Sequence, residues 1–89
     1  MKKVIQVTEV ENEGLEALLD KKVMLFCLNY IYTGKLVGVN DTCVLLADGA
    51  IVYETGPFDD SKFKDAQKVA GSLYIQTGAI ESFCETNKK

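Results

Sequence analysis

The stretch Tyr32-Thr33-Gly34-Lys35-Leu36-Val37-Gly38-Val39-Asn40-Asp41-Thr42-Cys43-Val44-Leu45-Leu46 decides the fold. Its first half, with Ile31 before it, reads as a strand over residues 31–39 that carries glycines at 34 and 38 on one face. Glycine weakens a strand and marks a sharp bend or a close backbone approach. Two on one face predict a strand that curls tightly around a small barrel. Asn40-Asp41-Thr42 forms turns readily, and Cys43-Val44-Leu45-Leu46 opens the returning strand.

Working outward, the continuous apolar run Val23-Met24-Leu25-Phe26-Cys27-Leu28 is long enough for a preceding strand, with Asn29-Tyr30 as the turn between the two. The third strand resumes after Ala47-Asp48-Gly49-Ala50 as Ile51-Val52-Tyr53-Glu54; Asp48-Gly49 also suits a tight hairpin turn, and both readings stand. Gly56-Pro57 closes it. Residues 59–70 read as a short Asp-capped amphipathic helix with Phe63, Ala66 and Val69 or Ala70 inward and Gly71 as its stop. Two short strands follow at 72–77 and 79–83, parted by Gly78. At the other end, Asn12 can cap a helix over residues 13–20 with Leu15, Leu18 and Leu19 on one face, behind a short strand at 4–7. The expected fold is mostly β: a small, five-stranded, strongly bent antiparallel barrel of the SH3-like or OB-like class over residues 23–84. An N-terminal helix and a helical insertion at 57–71, between strands three and four, complete one domain spanning 1–89.

Composition narrows the chemistry. All 10 basic residues among the 89 are lysines, against 13 acids, for a net charge of −3. Without histidine there is no Ser-His-Asp triad, histidine proton relay or histidine metal site. Without arginine there is no bidentate clamp for phosphate or guanine. Cys43 has no basic neighbour in sequence to activate it, and Asp59-Asp60 lacks the alternating oxygen ligands of a calcium loop. The expectation is a protein that is not an enzyme and carries no metal or cofactor. Three cysteines (27, 43 and 84) without a CxxC pair read as free thiols in a reducing, cytoplasmic setting. The longest near-continuous apolar stretch, 23–31, falls far short of the roughly 20 residues that span a bilayer, and no apolar run follows Lys2-Lys3 as a signal peptide needs.

The segment from Tyr32 to Leu46 resembles the first motif of the Sm and LSm proteins and their bacterial relative Hfq: a glycine, an apolar residue two later, an acidic position four beyond, then apolar residues. Gly34, Leu36 and Gly38 are its structural positions. Tyr74-Ile75-Gln76-Thr77-Gly78-Ala79-Ile80 stands where the short second motif would stand. The resemblance covers about residues 13–84 and implies subunits joined in a ring, the fourth strand of one pairing with the fifth of the next. The strands at 73–77 and 79–83 contain no lysine, no proline and one acid, so their edges have little protection against pairing with another chain. A homo-oligomeric ring of about five to seven subunits is the expectation. It also suits a chain this small, which buries only roughly 64% of its extended surface.

The resemblance also implies a base pocket built from the loop after strand two and the loop after strand four, where a flat side chain stacks on a base and a polar one reads its edge. The acidic position falls on Asn40 with Asp41 beside it, the stacking position on Thr42, and the base-reading asparagine on Val44. The Arg-Gly pair of Sm proteins falls on Gln76-Thr77 and the Lys-His pair of Hfq on Thr77-Gly78. Each has two readings: Asn40 is a turn residue or a base contact, Thr42 a loop hydroxyl or a platform, Gln76 a surface residue or a base-edge partner. Lys35 contacts phosphate or simply faces water; Tyr30 and Tyr32 form an aromatic patch or lie against the barrel with hydroxyls in solvent. The acidic balance lacks the general field that draws nucleic acid, although Lys2-Lys3, Lys21-Lys22, Lys62/Lys64/Lys68 and Lys88-Lys89 form local clusters. The reading is an Sm-like RNA-binding or RNA-chaperone module with an atypical base pocket. A ring scaffold for protein partners that has lost RNA binding is the alternative.

Overall fold

The computed structural model describes residues 14–89. The expected strand at 4–7, the Asn12 cap and the first residue of the expected helix lie outside them. Six strands make one antiparallel sheet: β1 (Lys22–Cys27), β2 (Ile31–Val39), β3 (Cys43–Glu54), β4 (Asp65–Lys68), β5 (Leu73–Gln76) and β6 (Ile80–Glu85). The order across it is β4-β3-β2-β1-β6, with β5 also on β3. The five-stranded barrel expected above is thus an open sheet of six strands, because β5 and β6 are joined by a tight 3-10 turn, Thr77–Ala79, and pair with β3 and β1 instead of with each other.

The core forms where the apolar alternation of the strands meets. Val23 and Leu25 of β1, Leu36 of β2, Val44 and Leu46 of β3 and Ile75 of β5 are buried together. Each such side chain contributes on the order of 1.5–3 kcal/mol through its removal from water. Leu15 and Leu18 pack against this cluster, so the apolar face expected near the N-terminus exists. It is carried by a four-residue 3-10 turn, Leu15–Leu18, and not by an α-helix over 13–20. The reason is visible in the backbone. Gly14 and Asp20 take positive φ on either side, and the Asp20 N–H donates to the Leu36 carbonyl at 2.7 Å while the Leu36 N–H donates to Lys21 at 2.9 Å. The chain is turned into sheet pairing before a second helical turn can form, and short helices do not stand alone.

The helical insertion at 57–71 is likewise absent. Residues 59–64 are turns and bends, and the chain then becomes β4, which pairs Asp65 with Glu54 and Lys68 with Ala50. β3 is twelve residues long and β5 covers only Cys43 to Leu46, leaving the far half of β3 to be paired by β4. The loop before it is pinned from the other end of the chain. Lys88 is only 4% exposed, and its ammonium donates to the carbonyls of Pro57 at 2.7 Å and Asp60 at 2.8 Å. The Phe63 N–H donates to Lys89 at 2.7 Å and the Lys89 N–H to Ser61 at 2.8 Å. These non-local bonds outweigh the helical spacing of Phe63, Ala66 and Val69.

Asp48-Gly49 is a bulge inside one continuous strand rather than a hairpin turn. Asp48 adopts a left-handed φ of 53°, and the β2–β3 register slips beside Gly34. On the other flank the register steps by one residue between Leu46↔Leu73 and Ala50↔Lys68, which makes β4 and β5 two halves of one interrupted strand. Gly34 stands against this bulge: a Cβ there would lie 3.0 Å from the Ala47 oxygen, 3.1 Å from the Gly49 Cα and 3.2 Å from the Leu46 Cβ. At Gly38 the nearest atom would be the Leu45 Cβ at 3.5 Å, an ordinary contact, so of the two β2 glycines only Gly34 is demanded by a close approach. A second slip, between Leu36 and Gly38, adds to the curvature.

Candidate nucleic-acid interface

The turn between β2 and β3 is organised by Asn40. Its side-chain oxygen accepts hydrogen bonds from the Thr42 N–H at 2.8 Å, the Cys43 N–H at 2.9 Å and the Thr42 hydroxyl at 3.0 Å. Its own N–H donates to the Cys43 carbonyl at 3.0 Å. This is the local side-chain-to-backbone chemistry that asparagine brings to turns. The turn reading of Asn40 therefore accounts for its oxygen.

Thr77 ties that turn to the one after β5. Its hydroxyl donates to the Asp41 carbonyl at 2.9 Å and its N–H to the Thr42 carbonyl at 3.0 Å. Cys43 stands opposite Gln76 in the register between β3 and β5. The two short segments singled out in the sequence, 40–42 and 76–78, are thus joined over a gap of more than thirty residues.

Beside the junction lies an open depression of about 570 Å³ lined by Thr42, Cys43, Tyr74, Gln76 and Gly78. Thr42, Gln76 and Gly78 are brought together there. Asn40, Asp41 and Thr77 build the walls behind it without lining it. Lys35 lies elsewhere, exposed in the middle of β2 opposite Lys22 and Ala47. Tyr74 and Cys43 complete the lining and were not anticipated. Tyr74 is 66% exposed and shares a strand face with Gln76, while Ile75 between them is buried. The alternation in Leu73-Tyr74-Ile75-Gln76 carried that signal, since residues two apart on a strand face the same way.

Tyr74 and Gln76 also border a second depression, of about 260 Å³, against Leu28, Tyr30 and Tyr32 at the β1–β2 turn. Tyr30 sits edge-on to Tyr32 and to Tyr53, with ring centroids 6.3 and 6.2 Å apart. Burial, and then the neighbouring Cys27, Tyr30 and Tyr53, push the Tyr32 hydroxyl above its ordinary range. Burial, and then the Glu81 carboxylate, do the same to the Cys27 thiol. No lysine lines either depression, so this side of the sheet offers π faces, hydroxyls and a carboxamide rather than charge. Such groups can stack on a flat heterocycle and bond its edge. Among the described residues no cluster of three carboxylates or thiols is placed to hold a metal, and no helix is long and apolar enough to cross a membrane.

No protein-family model matches the sequence, and no curated protein matches it. The fold itself has a solved counterpart: the Sm protein of Pyrococcus abyssii in complex with a uridine heptamer superimposes with a TM-score of 0.56 at 20% identity, over 80% of this chain and 90% of that one. The antiparallel sheet, bent at Gly34 and Asp48-Gly49, has an Sm-like fold.

Proposed function

We propose that this chain is an Sm-like binding module, not an enzyme, whose ligand is single-stranded RNA. The observation that carries the reading is the junction of the 40–42 turn with the 76–78 turn beside exposed Tyr74 and Gln76. The uridine heptamer bound by the Pyrococcus protein supports the ligand class. In this reading Tyr74 supplies the stacking face, Gln76 bonds a base edge through its carboxamide, and Thr42 offers its hydroxyl oxygen from across the depression. The pocket is atypical because its aromatic side chain comes from a strand rather than from the turn at Thr42, and because no cation stands beside it.

The assembly proposed with it is a homo-oligomeric ring of about five to seven subunits. β5 pairs only with β3, and β6 only with β1, among the described residues, so each keeps an unpaired edge. Pairing β5 of one subunit with β6 of the next would satisfy both and bury strand edges that otherwise invite aggregation. Three free thiols suit a cytoplasmic location. A second reading, a ring scaffold for protein partners, is favoured by the net charge of −3 and the lack of lysine at the depression.

Fluorescence anisotropy with U-rich, A-rich and mixed oligonucleotides at several salt concentrations separates the two. RNA binding predicts saturable affinity that Tyr74→Ala weakens by about tenfold or more, the loss of one base–aromatic stack, while Tyr74→Phe retains it. Absence of binding at tens of micromolar protein and low salt would reject RNA in favour of the scaffold. Light scattering that returns the 9.8 kDa monomer would reject the ring.

A further inference from the structure

The far half of β3 borders a concavity unlike the tyrosine-lined side. It measures about 330 Å³ and opens between the start of β1, β4 and residue 89. Lys22, Lys64, Lys68 and Lys89 line it, against the carboxylates of Asp48 and Asp65. The four lysines come from three segments far apart in the chain, at 22, 64–68 and 89, so the fold gathers them. Lys64 is paired with Glu54 at 3.3 Å; among the described residues neither Lys22, Lys68 nor Lys89 has a carboxylate within ion-pair distance. Phe63 forms part of the wall. The Lys22 ammonium stands 5.9 Å from its ring centroid, and the buried Lys88 ammonium 5.6 Å from it.

Gathering like charges costs free energy, and two features here show the excess. Lys88 is held by carbonyl oxygens, with no anion. The Lys22 ammonium donates to the Lys88 carbonyl. Burial, followed by the positive charges of Lys89 and Lys68, also holds Lys22 below the ordinary lysine range. The cavity is short of negative charge, and a multiply charged oxyanion of modest size would restore the balance. Lysine binds phosphate as a compact point charge, with no need of the bidentate fork that this arginine-free chain lacks.

We propose that this concavity is a binding site for a phosphate group, held by Lys22, Lys68 and Lys89. The phosphate comes either free or mononucleotide-borne, or as a backbone group of an RNA strand. Ala50 is seven residues along β3 from Cys43, so the site lies roughly 20 Å from the depression at Thr42, Cys43 and Gln76, and it shares no lining residue with that depression or with the tyrosine-lined one. It therefore does not rest on the base-pocket reading.

The test is an amide NMR titration of the full chain at constant ionic strength, with inorganic phosphate, with uridine 5′-monophosphate and with a short oligouridine. Saturable shifts are expected at Lys22 and at residues 63–68, weakened about tenfold or more by Lys68→Gln combined with Lys89→Gln. Both substituted side chains are exposed, and the rest of the spectrum reports whether the variant is folded. Equal affinity for phosphate and the mononucleotide, with no gain for the oligonucleotide, supports a site for a free phosphate group. Tighter oligouridine binding that the lysine substitutions abolish supports a site on a strand path. Tyr74→Ala should leave the phosphate titration unchanged, so loss of the base pocket and loss of this site are read separately. No saturable shift with any of the three, or shifts that survive the lysine substitutions, would overturn the proposal.

Discussion

Replacing Gly34 by alanine adds one methyl group at the tightest point of the sheet. The new Cβ would meet the Ala47 carbonyl oxygen at 3.0 Å, the Gly49 Cα at 3.1 Å and the Leu46 Cβ at 3.2 Å. Two of these atoms are backbone and the third is a Cβ whose side chain is fully buried, so none can swing aside. Overpacking of this kind costs about 1–3 kcal/mol. Alanine also restricts the unfolded chain, which returns about 0.4–1 kcal/mol where the native backbone tolerates it. The net loss is about 1–2 kcal/mol, or a Tm lower by roughly 5–15 °C for a domain of this size. Gly38→Ala supplies the control, because its Cβ would meet only the Leu45 Cβ at 3.5 Å. The same chemical change four residues away should leave Tm unchanged or raise it by a few degrees. Thermal and urea unfolding followed by circular dichroism, at one protein concentration, measures both; a shared m-value assigns the change to stability. If Gly34→Ala melts at or above the parent, or if both variants fall together, the close approach at the bulge is not what the glycine serves.

Three further outcomes are expected. Asn40→Ala should cost about 1 kcal/mol and speed hydrogen exchange at the Thr42 and Cys43 amides, whereas Asn40→Asp keeps the accepting oxygen and should exchange like the parent; equal exchange in the two variants would contradict the turn geometry. Cys27 favours its protonated thiol when folded, first through burial and then through Glu81. Its contribution to stability is full below the unfolded thiol value and is lost as pH rises through the folded one, so Cys27→Ser should reduce the fall in urea midpoint between about pH 8 and 10. An unchanged alkaline limb would refute that assignment, and an aromatic disulfide reagent should label exposed Cys84 before Cys27.

What was legible in advance is local. Gly34, the Asn40-Asp41-Thr42 turn and the runs containing Val23, Leu25, Leu36, Val44 and Leu46 place β1 to β3 and their core, since strand alternation and turn chemistry act over a few residues. The apolar pair Leu15 and Leu18 was legible as a packing face, although its helical form was not, because the backbone is redirected at Asp20 by a bond to Leu36. The segments 40–42 and 76–78 were legible separately, as a turn and as the join of two short strands at Gly78. Their union depends on Thr77 reaching Asp41 and Thr42, and the place of Tyr74 beside Thr42 depends on the register of β5 on β3.

Where the outcome turned on distant partners, local pattern misled. Phe63, Ala66 and Val69 are spaced for a helix, yet residues 65–68 complete the ladder of β3 and the preceding loop is held by Lys88 and Lys89. The meeting of Lys22, Lys68 and Lys89 is equally invisible along the chain, where Lys21-Lys22, Lys62/Lys64/Lys68 and Lys88-Lys89 stand as separate clusters tens of residues apart. Sequence alone determined the strands that bury their own alternation and the turn that bonds to itself. Tertiary structure decided the open edge, the break between β4 and β5, the exposed tyrosine and the gathered lysines. Each of these comes from backbone hydrogen bonds and charges whose partners lie tens of residues away, and no local periodicity encodes their meeting.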